Sequence, residues 1–579
     1  MRTAGRNRLQ IAGTMLTLLL TMISFFSVYS QTNWYVSQQN GSDGNNGLSP
    51  SAPFKTVDYA LDRLQPGDTL LLMGVFTNEH FIPGYTYSDD INDPHIWLDE
   101  HTIRISGLNG SPGNYITLKP YDENTVIKGD GANIIRVLNS SYLQFEGLHI
   151  YGEVENIPMS TALALQFLYR DPDTDEVLYR VPPGTPDEEV ENMILPVLGS
   201  VSRPTYTNTR GIYLSNVHHV TIRSNTIHHA PGVGLTVSYC EYIDIIENEV
   251  HNCSRKSYTG THALVVTKAT STDNLNNYKI NILRNEVHHN YNEIYSWSPQ
   301  KSFITPRIDE GKGISLQRNS EDSWKHGRFL VANNLCYWNG FSGVHTNTGK
   351  RMDFINNTCY LNSYTNTVTY AGEEQKGKNI GISAQASDDI RIINNVVYID
   401  NAWGGYPISV SNTNTFTVSD NIIFGINGPL VEDTEVIEVQ VNTMVEDPLF
   451  MDTDNYDFNL QSGSPAIGMA NAEFAPVNDF NGNPRDEDPD MGALEYDGNL
   501  AIENEISAAA IRIFPNPFSE FITIRGDEAI ERLELYSLTG QRIQMINDGT
   551  ANSSIDLSFL KEGTYVIRVN DYVTTIIKR

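Results

Sequence analysis

One asparagine, recurring at the same point of a short apolar pattern, constrains this chain more than any other feature. The segments VTIRSNTIHH, IDIIENEVHN, INILRNEVHH, FLVANNLCYW, MDFINNTCYL, IRIINNVVYI and FTVSDNIIFG each alternate apolar and polar residues up to an Asn. These are Asn225, Asn248, Asn285, Asn334, Asn357, Asn395 and Asn421, with gaps of 23, 37, 49, 23, 38 and 26 residues. The short gaps are a bare repeat and the long ones are that repeat plus a loop. A second series interleaves: RGIYLSN, GVGLTVS, HALVVTK, GKGISLQ, SGVHTNT, NIGISAQ and YPISVSN. Each repeat thus holds at least two strands of period two and no helical periodicity, which predicts an all-β solenoid. A polar residue at an inward position is explained if stacked amides bond to one another along the solenoid, because a buried amide needs partners.

This ladder resembles the right-handed parallel β-helix of polysaccharide-processing enzymes. The likeness reaches the ends: residues 33–72 resemble the entry segment of such secreted proteins, with VDYALDRL expected as a helix covering the open end. Residues 447–496 resemble the closing segment. The expected organisation is a right-handed parallel β-helix over 31–497, interrupted at 153–208 by an acidic, Pro-rich excursion that forms either a cleft wall or a solvated decoration. Residues 498–509 read as a linker.

Residues 1–30 carry Arg2, Arg6 and Arg8, an apolar stretch and a small-residue end, which predicts a secretory signal peptide. No later stretch is apolar enough to span a bilayer. Residues 510–579 read as a small β-sandwich. Phe514-Pro515-Asn516-Pro517, Thr539-Gly540, EGTYVIRV and Lys578-Arg579 resemble the C-terminal sorting domain of the type IX secretion system of Bacteroidetes. The resemblance implies the type IX machinery as a partner and a secreted or surface-attached, tail-processed protein. A monomer is expected. Net charge is −31, from 70 acidic and 39 basic residues, which argues against nucleic acid and anionic lipid as partners and suits Ca²⁺. Four cysteines are too few for a disulfide scaffold. Cys336 and Cys359 fall on equivalent positions of neighbouring coils and are expected reduced.

Aligning the second series stacks Arg210, Val233, His262, Lys312 and Ser342 in one column. Tyr213, Thr236, Val265, Ser315 and His345 form the next, and Ser215, Ser238, Thr267, Gln317 and Asn347 a third. Coils lie about 4.8 Å apart, so Arg210, His262, Lys312 and His345 fall within about four coils on one corner and face. The loop before Lys312 brings Tyr295, Trp297, Lys301, Arg307, Asp309 and Glu310, and Trp324 follows. Aromatic rings stack on sugars and cations bind uronate carboxylates, so the expected substrate is a uronate-containing polysaccharide.

The resemblance, with this basic and aromatic content, implies a polysaccharide lyase acting by β-elimination. Catalysis is assigned to Lys312, His262, His345 and Arg307, with Lys312 foremost as base. Substrate binding is assigned to Trp297, Tyr295, Lys301, Arg318, Arg210 and Trp324, and Ca²⁺ to Asp309 and Glu310. The match is incomplete: the ADGFACK-like and DDGWD-like segments of family 9 pectate lyases are missing. Asp93-Pro94-His95 matches an epimerase element but precedes the ladder. Alternatives are a glycoside hydrolase using two of Asp309, Glu310, Glu321, Asp322, Asp388 and Asp389, or a non-catalytic adhesive solenoid. The pairs His218-His219, His228-His229 and His288-His289 look metal-like but recur at turns, where structural roles are expected.

Overall fold

The computed structural model describes residues 31–78, 100–159, 205–257, 261–294, 310–320, 322–363, 379–399, 405–425 and 440–496, with short pieces of 160–204, 258–260 and 364–378, and most of 511–578. It divides into two compact units. The first runs to Glu495 apart from Gln461–Gly463, and the second contains Tyr496–Arg579.

The first unit is a right-handed parallel β-helix. Its apolar residues stack from coil to coil: Ile212 pairs with Leu235, then Leu264, Ile314, Val344, Ile382 and Ile408. One continuous core results, each fully buried Ile, Leu or Val contributing about 1.5–3 kcal/mol of transfer free energy. Long strands such as Arg210–Arg223 and Leu235–Ile246 cross two faces of the coil. They bend where side chains accept positive φ, as at Asn216 (55°) and His219 (52°). The third face is a separate sheet of eleven short strands from Val75–Phe76 to Met444–Val445.

The asparagines form the expected ladder between the second and third faces. Each Nδ2 donates to the Oδ1 of the next, at 2.8 Å for Asn225–Asn248, 2.9 Å for Asn248–Asn285 and Asn334–Asn357, and 3.0 Å for Asn285–Asn334, Asn357–Asn395 and Asn395–Asn421. A second ladder, which the pattern reading missed, leaves the third face five residues later. Asn290 donates to Asn339 and Asn339 to Asn362, both at 2.9 Å. Its signal was in HHN, YWN and YLN.

The doublets of ANN and INN have their own logic. The first Asn of each points outward and is held by the closing segment: Asn333 Nδ2 donates to Asn478 O, Asn356 Nδ2 to Asp490 O and Gly492 O, and Asn394 Nδ2 to Asn471 O. Residues 471–492 are thus strapped along the coils. At the other end, helix Val57–Leu61 is capped by Thr56 and packs Val57, Tyr59 and Leu61 on the core. The excursion at 153–208 shows an antiparallel pair, Leu168–Arg170 with Val177–Tyr179. Cys336 and Cys359 are register partners, and all four cysteines, with Cys240 and Cys253, are buried and reduced.

The paired histidines are structural. His228, His251 and His288 stack on the outer side of the third face with ring centroids 4.8–4.9 Å apart and planes 2° apart, followed by Tyr337. His149 stacks below at 4.9 Å. The second member of each pair sits at positive φ, and His219 is sandwiched between Tyr142 and Tyr242. Burial, then neighbouring imidazoles, lowers His228 to about 3 and His251 to about 4. These groups stay neutral when folded but titrate near 6.5 unfolded. Their contribution is therefore intact above pH 6.5 and lost as pH falls from there toward 4. We expect the thermal midpoint of His228→Tyr/His251→Tyr to fall less than wild type over that window. The difference should be about 1–2 kcal/mol after allowance for partial exposure, read by calorimetry at pH 7 and pH 4.5.

The second unit has antiparallel sheets of three strands (Ile511–Phe514, Phe521–Gly526, Asn552–Asp556) and four strands (Leu533–Ser537, Arg542–Ile546, Gly563–Val569, Tyr572–Lys578). Its own core includes Ile522, Ile524, Leu535, Ile567 and Ile576.

Candidate active site

The register on the first face follows the predicted columns: Tyr213 pairs with Thr236, Thr236 with Val265, Val265 with Ser315, and Ser315 with His345. Gly311 and Gly313 explain the GKG corner. Gly311 has φ +85°, and a Cβ there would meet the Tyr291 Cα at 2.6 Å. One at Gly313 would meet Gly343 O at 2.6 Å and Asn339 Nδ2 at 2.9 Å. Only glycines let the corner pack this closely on neighbouring coils, and Lys312 between them projects from the core.

Lys312, His262 and His345 converge, and all three are buried. Lys312 Nζ pairs with Glu310 Oε2 at 2.5 Å and lies 4.5 Å from the Phe341 ring centroid. The backbone N–H of Lys312 donates to His262 Nδ1 at 3.4 Å, so the proton of neutral His262 is on Nε2. That Nε2 lies 2.6 Å from the Gln317 side-chain amide, which is satisfied with the amide oxygen facing the ring, and 3.6 Å from Glu310 Oε2. His345 differs. Ser383 Oγ donates to Ser342 Oγ at 3.4 Å and so accepts from His345 Nδ1 at 2.7 Å. This leaves His345 Nε2 with an available lone pair. Burial first, then the Lys312 charge, holds both imidazoles well below the usual histidine value; for His262 the charge of His345 adds to this.

Arg210 lies on the same face three coils away, its guanidinium 4.9 Å from the Tyr213 ring centroid. Arg318 stands exposed at the bend after Gln317, at φ 55°. Trp324 corrects the sequence expectation: it is 0% exposed, packed edge-on against Phe329 at 4.9 Å, and cannot reach a sugar. The turn carrying it folds inward because the indole buries more apolar surface than any neighbour in DSWKHG. We expect Trp324→Ala to cost about 3–5 kcal/mol in chemical unfolding while leaving KM unchanged. Tyr295, Trp297, Lys301, Arg307 and Asp309 lie outside the described residues.

Glu310 faces an ammonium, and among the described residues no group of three His, Cys, Asp or Glu is gathered for a metal. Asp389 and Asp388 are engaged elsewhere, by Arg328 at 2.7 Å and Lys350 at 3.2 Å. Sequence reasoning missed Gln317, Ser342, Ser383 and Phe341 as parts of the corner. Gln317 and Ser342 stood in its columns, but nothing marked them as partners of histidine.

Residues 512–579 match the family model of the secretion system C-terminal sorting domain, which marks the chain as type IX cargo. No curated protein matches the sequence. Among solved structures the chain is similar to a pectate lyase, Pel9A, at 13% identity and TM-score 0.42, covering 81% of this chain and 98% of that one. It is similar to a rhamnogalacturonan lyase at 11% and 0.39, covering 82% and 98%. It is also similar to a GH136 lacto-N-biosidase from Eubacterium ramulus at 11% and 0.36, covering 72% and 68%.

Proposed function

We propose that the protein is an exported polysaccharide lyase that cleaves a uronate-containing polymer by β-elimination at the Lys312 corner. The observation that carries this reading is the pairing of a cation with a neutral imidazole that keeps one nitrogen open. Lys312 would face the uronate carboxylate and neutralise charge developing on it. His345 Nε2 would accept the proton α to that carboxylate. The C–O bond to the leaving sugar then breaks, and the imidazolium returns its proton to the leaving oxygen, so the site ends as it began. An imidazolium destabilised by burial gives up that proton readily. His262 is a positioning residue: it ties the Lys312 backbone to Gln317. Lys312 as the base is the competing assignment, and the ion pair with Glu310 favours its role as a cation.

A hydrolase is less well supported, because it needs two carboxylates flanking one bond. Among the described residues this corner offers Glu310, already bound to Lys312. The test is product analysis of the mature protein on pectate, alginate, glycosaminoglycan, ulvan and neutral hemicellulose, with Ca²⁺ and with chelator. Ultraviolet absorbance from unsaturated uronate is expected. Reducing ends without that absorbance would replace the lyase by a hydrolase, and binding without turnover would leave an adhesive solenoid.

A further inference from the structure

A second group of charged side chains lies on the same face, three to five coils toward the N-terminus from Lys312. The register aligns Arg104 with Arg136 and Arg136 with Tyr213, and aligns His101 with Asn133 and Asn133 with Arg210. Arg136 Nη1 donates to His101 Nε2 at 2.8 Å. His101 Nδ1 is 3.4 Å from the Asn133 amide. The Asn133 Oδ1 has no partner among the described residues, so turning the amide lets it accept from Nδ1–H. His101 is thereby fixed as a neutral ring that orients Arg136. Burial alone would raise the Tyr213 phenol, but hydrogen bonds with Ser238 and Ser215 and the charges of Arg210 and Arg136 bring it below its ordinary value.

Two observations point to a missing ligand. Arg104 and Arg210 have no ion pair among the described residues, in a chain of net charge −31. And Thr236, next to Tyr213 on the coil toward Lys312, is 6% exposed, its hydroxyl without a partner among the described residues. Buried polar groups ordinarily find partners.

We propose that Arg210, Arg136, Tyr213 and Thr236 form an anion subsite that holds an acidic group of a polysaccharide lying along the face, about 14 Å from Lys312. The ligand chemistry is an anionic oxygen group on a sugar ring, a uronate carboxylate in the first instance and a sulfate ester as the other source. This inference rests on the reading of the Lys312 corner as the cleavage point. The coil spacing is close to the length of one sugar in an extended chain, so the subsite engages only substrates of about four units or more.

The test compares calorimetric binding of a uronate trimer, a uronate octamer and sulfated dextran to wild type, Arg210→Ala, Arg210→Lys and Arg104→Ala, with circular dichroism as the folding control. Arg210→Ala should weaken octamer binding at least tenfold and leave the trimer unchanged, with Arg210→Lys recovering part. The wild-type octamer affinity should fall with added salt. Tighter, Arg210-dependent binding of sulfated dextran would support the subsite with sulfate as its ligand. Equal loss for trimer and octamer, or no loss in a folded Arg210→Ala, overturns the proposal. Should no substrate be turned over while octamer binding still depends on Arg210, the lyase reading fails and the subsite stands. Turnover with an unchanged octamer KM in Arg210→Ala overturns the subsite alone.

Discussion

Replacing His345 with alanine should lower turnover of a uronate polymer by about 10²–10⁴-fold, the range for loss of a general base. The fall should be in kcat more than in KM, because the imidazole acts on a proton that moves only in the transition state. The fold should survive, since the substitution removes one hydrogen bond, to Ser383, at a cost near 1 kcal/mol. Ser383→Ala should be milder, loosening the ring and its tautomer without removing it. Lys312 separates the two assignments of the base. If it neutralises the carboxylate, Lys312→Arg retains part of the activity that Lys312→Ala loses; if it takes the proton, both are equally dead. The pH profile gives a third readout. His345 is held well below the ordinary histidine value, so it stays unprotonated as pH falls through 6.5. The acid limb of kcat/KM should therefore lie below that of a solvent-exposed histidine. A limb at 6.5 would mean that another group titrates.

The convergence of Lys312, His262 and His345 was legible because a solenoid turns sequence alignment into spatial register: residues matched between repeats become neighbours about 4.8 Å apart. The same logic fails where the chain leaves the coils. Trp324 sits in such a loop, where no periodicity says which way a side chain points, and composition drew it to the surface when packing drew it inward. The pairing of Glu310 with Lys312 was also hidden, since a carboxylate beside a lysine reads equally as metal ligand or ion-pair partner. The histidine pairs read as turn residues, yet His218, His228 and His288 lie in strands, and the stack was not legible because imidazole columns carry no more sequence signal than any outward polar column. The first Asn of each ANN or INN doublet has no role marked by the ladder pattern. Its partners lie 77 to 145 residues away in the closing segment, a distance no local pattern spans.

The largest stability effect should come from the ladder itself. Asn285→Leu is close in volume but removes an acceptor that serves Asn248 N at 3.0 Å and Asn248 Nδ2 at 2.9 Å. It also removes a donor that serves Ile245 O at 2.9 Å and Asn334 Oδ1 at 3.0 Å. The site is 0% exposed, so water cannot replace them. Each buried group left unpaired costs about 1–3 kcal/mol, and with the backbone N–H of Asn248 orphaned outright the sum should reach about 3–5 kcal/mol. Asn285→Asp should be no better: it keeps the acceptor but loses the donor and brings a charge into the core. Asn347→Ala, which breaks only exposed bonds, to Gln385 and from Thr348, should cost under about 0.5 kcal/mol. Urea unfolding of the three variants checks this. A cost for Asn285→Leu as small as that of Asn347→Ala would mean that the coils are held by their apolar core alone. In a solenoid each coil contacts only its neighbours, so a break at Asn285 weakens the two interfaces beside it rather than the whole stack. One of those interfaces joins the coil of His262 to the coil of Lys312, and the activity of Asn285→Leu should fail at a lower urea concentration than its far-ultraviolet signal.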